Sequence, residues 1–182
     1  MFVSLVAAMS ENRVIGINSR LPWGSLPDDI KNLHRLADGK KMIMGRKSYD
    51  TIDRLWSDAG NIVISRHRDI ILDKGFEYAE SFEQALDLVG WSKNLDQTTN
   101  RLTIQPNKNE VIVLGGGEIF KLAMTYADNI YLTVVHASFQ GDTFFPEIDT
   151  HIFELTESIF HPIDVLHAFS FTFLTFKRKT NV

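Results

Sequence analysis

Two adjacent carboxylates open an amphipathic stretch at Pro27-Asp28-Asp29-Ile30, and the helical period gives them different chemistry. Pro27 suits the first helical position, where its missing N–H costs nothing, and acids in a first turn complement the positive end of the helix dipole. Ile30, Leu33, Leu36 and Ala37 form the apolar stripe, with Asp29 along its edge beside Leu33 and Leu36. Asp28 falls with Lys31, Asn32 and Arg35 on the wet face. A core-facing carboxylate is costly unless it has a partner or a job, so Asp29 is the candidate for proton chemistry and Asp28 for a solvent-facing helix-start charge. Trp23, in the Pro/Gly-rich loop just ahead, reads as a wall of the same site.

A second kind of chemistry lies at three strand ends. Leu114-Gly115-Gly116-Gly117-Glu118-Ile119-Phe120 puts three glycines between an apolar run and a helical pattern. Such a turn serves equally as plain steric relief or as a place where helix-start N–H groups face a phosphate. It lacks the G-x-G-x-x-G spacing of the dinucleotide fingerprint, and Gly45-Arg46-Lys47-Ser48 lacks the upstream glycine of a Walker A loop. Gly45 to Ser48 nevertheless repeats the strand, glycine, helix order with two cations at the helix start. Cations there oppose the helix dipole, so a bound anion explains them better than folding does. Ser65-Arg66 offers a third cationic, hydroxyl-bearing strand end. Anion-suited turns at carboxyl ends of strands are what a phosphorylated dinucleotide requires.

The elements that must position these groups alternate along the chain. Strands are expected over Phe2–Met9, Lys41–Met44, Asn61–Ser65, Val111–Leu114 and Asn129–His136. Helices are expected from Pro27, through Ser48–Ile52, over Ser81–Val89 and over Glu118–Met124. This rhythm implies α/β with a largely parallel sheet, and apolar runs such as Ile62-Val63-Ile64 imply strands covered on both faces. The tail, His151–Phe160 and Ala168–Lys177, reads as an antiparallel hairpin on the sheet's edge. The polar stretch from Trp91 to Asn109 reads as a surface excursion too short to be a domain.

Composition narrows the function classes. The 182 residues fit one domain, and no apolar run approaches the ~20 residues needed to cross a bilayer, so no membrane association is expected. The N-terminus has no basic segment before its apolar run and reads as a strand instead of a secretion signal. Zero cysteines exclude disulfide and thiolate chemistry and fit a reducing, cytoplasmic setting. A net charge of −4 argues against nucleic acid as a partner. Six histidines occur without H-x-x-x-H or clustered spacing, so no metal is expected. No G-x-S-x-G turn supports a nucleophilic serine.

Taken jointly, Val6-Ala7-Ala8, Val14-Ile15-Gly16, Leu21-Pro22-Trp23, Pro27-Asp28-Asp29, Met44-Gly45-Arg46-Lys47-Ser48, Leu114-Gly115-Gly116-Gly117 and Gly141-Asp142-Thr143-Phe144-Phe145-Pro146 resemble the dihydrofolate reductase family in order and approximate spacing, almost end to end. The resemblance implies a mixed, mainly parallel eight-stranded sheet with flanking helices and a C-terminal antiparallel hairpin. It implies reduction of dihydrofolate by NADPH, with hydride transfer to C6 and protonation at N5, in a monomer acting on a small molecule. Asp29 matches the acid that hydrogen-bonds the pterin, Trp23 would hold a water near it, and Thr133 would support Asp29. Val6, Ala7, Ile30, Leu33, Ile52, Trp56, Leu114 and Phe120 would line the substrate pocket. Ala8, Ile15 and Gly16 would adjoin the nicotinamide, with Gly16 to Trp23 as a lid that excludes water. Gly45, Arg46, Lys47, Ser48, Leu114 to Gly117, Glu118, Ile119 and Thr143 would contact the cofactor's remaining length. Arg46, Ser65 and Arg66 would select its 2′-phosphate.

The chain departs from the family pattern within Ile52–Asn61. Ala59 stands where an arginine usually grips the substrate's glutamate carboxylate, leaving Arg54 or Arg35 as substitutes. Phe120 replaces a frequent tyrosine. The competing readings are a related NADPH-dependent reductase of a pterin or riboflavin precursor, and a non-catalytic NADPH-binding module in which Asp29 only caps its helix.

Overall fold

The computed structural model describes residues 1–51, 57–91 and 110–180. The described elements run β1 (Phe2–Ser10), β2 (Val14–Gly16), α1 (Pro27–Ala37), β3 (Lys41–Gly45), α2 (Arg46–Tyr49), β4 (Asn61–Ile64), β5 (Phe76–Ala79), α3 (Phe82–Val89), β6 (Glu110–Val113), α4 (Gly117–Ala123), β7 (Asn129–Val135), β8 (Thr143–Phe144), β9 (Phe153–His161) and β10 (Phe171–Arg178). Eight strands form one sheet in the order β5-β4-β3-β6-β1-β7-β10-β9. All pairings from β5 to β7 are parallel, and β10 runs antiparallel to both β7 and β9. The mixed, mainly parallel sheet with a C-terminal hairpin is thus as expected.

Alternation along each strand divides the core between two faces. Ile43, Ile62, Val111 and Val113 pack with Phe82, Leu86 and Phe120 from α3 and α4. Their neighbours Met42, Met44, Val63 and Ile112 pack with Ala37 of α1 and partly buried Tyr49 of α2. Both faces are covered, so these strands read as continuous apolar runs. Local chemistry sets the helix ends. Ser81 accepts a bond from the Gln84 amide at the start of α3, and left-handed Gly90 closes it.

Three features differ from the expected elements. α2 begins at Arg46 directly after β3, earlier than Ser48. β5 is a four-residue edge strand. β2 and β8 form a separate two-stranded sheet whose register holds only a few residues. Segments this short carry too little periodic pattern to stand out, and their pairing partners come from far along the chain. The expected end of α2 at Ile52 and the whole polar stretch after Trp91, through Asn109, lie outside the described residues.

Candidate active site

The sheet opens where its connections diverge. The chain leaving β1 crosses β6 to reach β3, whereas the chain leaving β6 crosses β1 to reach β7. β1 and β6 stop pairing at Leu5 and Val113, although β1 continues beside β7 to Ser10 and Val135. Beyond that point Val6, Ala7 and Ala8 part from Leu114-Gly115-Gly116. A crevice at the carboxyl ends of strands, at such a switch point, is where open α/β sheets bind ligands.

One bank carries the acid. Thr133, opposite Ala8 in the β1–β7 register, donates its hydroxyl to Asp29 Oδ1 at 2.6 Å. Burial pushes the Asp29 carboxyl above its ordinary range, and the Thr133 bond partly opposes that rise by favouring the carboxylate. Ile30 is 38% exposed and Leu33 half-buried, while Leu36 and Ala37 farther along α1 are sealed. Apolar surface therefore remains open beside the acid. Trp23 is buried with Leu26, Val135 and Phe171, edge-on to Phe139 at 5.9 Å. Its Nε1 donor has no hydrogen-bond partner among the described residues, so this site wall offers an uncommitted donor.

The other bank is built from glycines. The Gly45 amide donates to Gly115 O at 2.6 Å, drawing the ends of β3 and β6 together. Gly115 has φ 91°, and a Cβ there would sit 2.5 Å from the Phe120 ring; one at Gly45 would sit 2.9 Å from Ile119 Cγ1. Larger residues would push both turns apart. Phe120 and Ile119 therefore support the turns from beneath. Phe120, expected on the substrate pocket wall, is 3% exposed and packs on Phe145, with its ring beneath Gly115. Ser48 Oγ approaches Gly116, and Thr143 lies against Gly117 and Gly16. Ile15 and Gly16 belong to the small sheet and are half-buried.

Cations border this bank. Lys47 and Arg66 are exposed. Arg46 is held by Asp50 at 2.7 Å, and buried Ser65 accepts the His67 amide at 3.0 Å, so local bonds orient both while leaving donors free. Glu118 faces solvent and pairs with Lys121 at 2.7 Å. Ile52, Arg54 and Trp56 lie outside the described residues, Ala59 is exposed, and Arg35 donates to Asn32 at 2.8 Å.

Asp28 is the clearest departure from the sequence reading. Its carboxylate faces His161 Nε2 at 3.2 Å, and its amide donates to His167 Nε2 at 3.3 Å. Leu26 at the N-cap offers no side-chain acceptor, and His167 performs that task from the far end of the chain. The available signal is a pair of histidines six residues apart, His161 ending β9 and His167 within the connection that follows.

An α/β sheet with a half-buried acid on one bank of its carboxyl-edge crevice and glycine-pinned, cation-bordered strand ends on the other defines the architecture of a nucleotide-dependent oxidoreductase. The sequence profile of the family described as dihydrofolate reductase matches residues 2–178, and this chain belongs to that family. It is 32% identical to a dihydrofolate reductase of Haemophilus influenzae over 98% of this chain and all of that one, and 30% identical to dihydrofolate reductase type 3 of Salmonella typhimurium over 98% and 99%. Its fold matches a solved dihydrofolate reductase of Enterococcus faecalis complexed with NADP(H) and RAB-propyl, with TM-score 0.80 over 98% and 97% of the two chains at 24% identity.

Proposed function

We propose that this chain, as one domain over residues 1–182, reduces 7,8-dihydrofolate to 5,6,7,8-tetrahydrofolate at the expense of NADPH. The observation that carries the reading is the Asp29–Thr133 pair, a bonded carboxylate at the edge of an apolar crevice whose opposite bank is a pair of glycine turns. Asp29 binds the amidine-like edge of the pterin and favours its protonated form, Thr133 holds the carboxylate in place, and the Trp23 donor fixes a water beside it. Val6, Ala7, Ile30, Leu33 and Leu114 surround the ring with apolar surface, which strengthens the charge–charge contact by excluding solvent.

The cofactor fits the second bank, because close backbone approach at Gly45 and Gly115 leaves no side chain between the strand ends and a ligand. When bound, NADPH supplies the hydride accepted at C6. Gly115 to Gly117 and Arg46 to Ser48 hold its pyrophosphate, Arg66 with Arg46 and Ser65 the 2′-phosphate, and Ala8, Ile15, Gly16 and Thr143 the nicotinamide end. Rate then comes from positioning two rings at reacting distance in a dry site. The enzyme acts as a cytoplasmic monomer.

The decisive assay follows NADPH absorbance with dihydrofolate, with a dihydropterin lacking the glutamate tail, and with a riboflavin precursor. Turnover is expected with the first. Turnover with the riboflavin precursor alone would reassign the substrate, and turnover with none would leave a binding module. Equal KM for the first two would mean that Ala59 has removed the tail contact, whereas a lower KM for dihydrofolate would assign that contact to another cation such as Arg35.

A further inference from the structure

The connection between β9 and β10 folds back over the first turn of α1 and brings two histidines to Asp28. A ligand atom from each of Asp28, His161 and His167 lies within 4.8 Å of the others. The orientation of both imidazoles is settled by neighbours that can only accept. His161 Nδ1 lies 2.7 Å from Pro162 O and donates to it, which leaves Nε2 as the ring nitrogen available to a ligand. His167 Nδ1 lies 2.8 Å from Asp164 Oδ1 with the same consequence. Amide bonds from Leu166 and His167 engage Asp164 Oδ1 as an acceptor. His161 Nε2 is thereby turned towards the Asp28 carboxylate, and His167 Nε2 towards the Asp28 amide, whose N–H it accepts at 3.3 Å and which a bound ion displaces.

His161 Nε2 and the Asp28 carboxylate stand 3.2 Å apart, which calls for a cation between them, either a proton or a metal ion. That separation is close to the edge of a zinc tetrahedron with bonds of 2.0–2.1 Å, about 3.3 Å. A carboxylate behind the far nitrogen of a histidine is the usual outer partner of a metal-binding imidazole, and Asp164 stands there for His167. The rings are also held in advance. His161 stacks on Phe171 at 4.5 Å and 8°, and His167 meets both at 4.6 and 5.3 Å. Phe171 is fully buried, His167 is 1% exposed, and Asp28 is open enough to admit an ion and a water from solvent.

We propose that Asp28, His161 and His167 form a binding site for one divalent transition-metal ion of the zinc class, with Asp164 positioning His167. Two imidazoles and a carboxylate suit zinc, cobalt or nickel and not magnesium or calcium, which prefer all-oxygen sites. The charges of Asp28 and Asp164 balance the ion, which ties the β9–β10 connection to the turn that carries Asp29.

The test uses the untagged full chain stripped with a chelator. Zn²⁺ is titrated by calorimetry at pH 7.5, and Co²⁺ by visible absorption. One ion per chain is expected, with the intense visible bands of tetrahedral cobalt, and at least tenfold weaker binding in both His161→Ala and Asp28→Asn. Asp164→Asn should weaken binding by a smaller factor while leaving the stoichiometry unchanged. Magnesium should not compete. Unaltered binding in both ligand variants would place the ion elsewhere and overturn the site. Absence of zinc heat and cobalt bands in the unmodified chain would also overturn it, leaving a proton as the only cation between Asp28 and His161. Dihydrofolate turnover by the stripped protein separates failure of this site from failure of the functional reading.

Discussion

Thr133 donates to Asp29 across 104 residues of sequence, at 2.6 Å, and joins β7 to the first turn of α1. A hydrogen bond to a charged group contributes about 1.5–3 kcal/mol, so Thr133→Val should lower kcat/KM roughly 10- to 100-fold. The bond favours the carboxylate, so removing it should move the Asp29 pKa further up. Carboxyl carbon NMR of the free enzyme would show that rise. Thr133→Ser should restore both rate and titration, which a loss of packing alone would not allow.

Asp29→Asn keeps the size and a bond from Thr133 but removes the charge that favours a protonated pterin. Turnover near neutral pH should fall by about 10²–10⁴-fold, the range of general acid–base assistance. The deficit should narrow in acid, where substrate arrives already protonated. Asp28→Asn, one residue away, should leave steady-state turnover of the metal-free enzyme nearly unchanged, and a larger loss there would reverse the assignment of the two acids.

The same substitution has a stability consequence of opposite sign. Burial raises the folded-state pKa of Asp29 above its unfolded value, so folded protein holds the proton more tightly. That contribution is fully present below the unfolded pKa and is lost as pH rises through the folded pKa. Ligand-free Asp29→Asn should therefore melt above the unmodified chain at pH 7–8, the gap closing towards pH 4. Each kcal/mol reads as about 2–4 °C in a domain of this size. A catalytic group that costs fold stability is the usual exchange at an active site.

Gly115→Ala combines a positive φ with a clash against Phe120. The backbone alone should cost about 1–3 kcal/mol in urea unfolding, and NADPH affinity, followed by fluorescence quenching, should fall with it. Adding Phe120→Leu should recover part of the stability by relieving the ring contact, but not the backbone cost.

Local patterns made the central sheet, α1 and the glycine turns readable. Pro27 marks a helix start, Gly115 to Gly117 mark a turn, and Asp29 stands out on its stripe because these signals lie within a few residues of their effects. Asp28 shows where such reading stops. Its wet-face position follows from the helix alone, but His161 and His167 arrive from the other end of the chain to bond it. Arg46 and Ser65 are similar: their types suit a phosphate, and the structure adds local bonds to Asp50 and from the His67 amide that hold them in place.

Lys40 and Glu110 lie at the amino edge of the sheet, opposite the crevice, and pair at 2.6 Å with side chains only 9% and 10% exposed. Glu110 also accepts the hydroxyls of Ser4 and Tyr131. Burial, then the Glu110 charge, pushes the Tyr131 pKa up to about 12. Lys40→Met strands that carboxylate and should destabilise the fold by about 3–5 kcal/mol, read in urea, with kcat intact. Pairing Lys40→Met with Glu110→Leu removes the buried charge, yet it should recover only part of the loss, because Ser4 and Tyr131 then lack their acceptor at about 1–3 kcal/mol each. Glu110→Gln keeps an acceptor without the charge, so ultraviolet titration should find Tyr131 lower than in the unmodified chain but still above 10, held there by burial. A Tyr131 titration unmoved by Glu110→Gln would mean that burial alone sets it, and that the carboxylate is not the electrostatic centre of this edge.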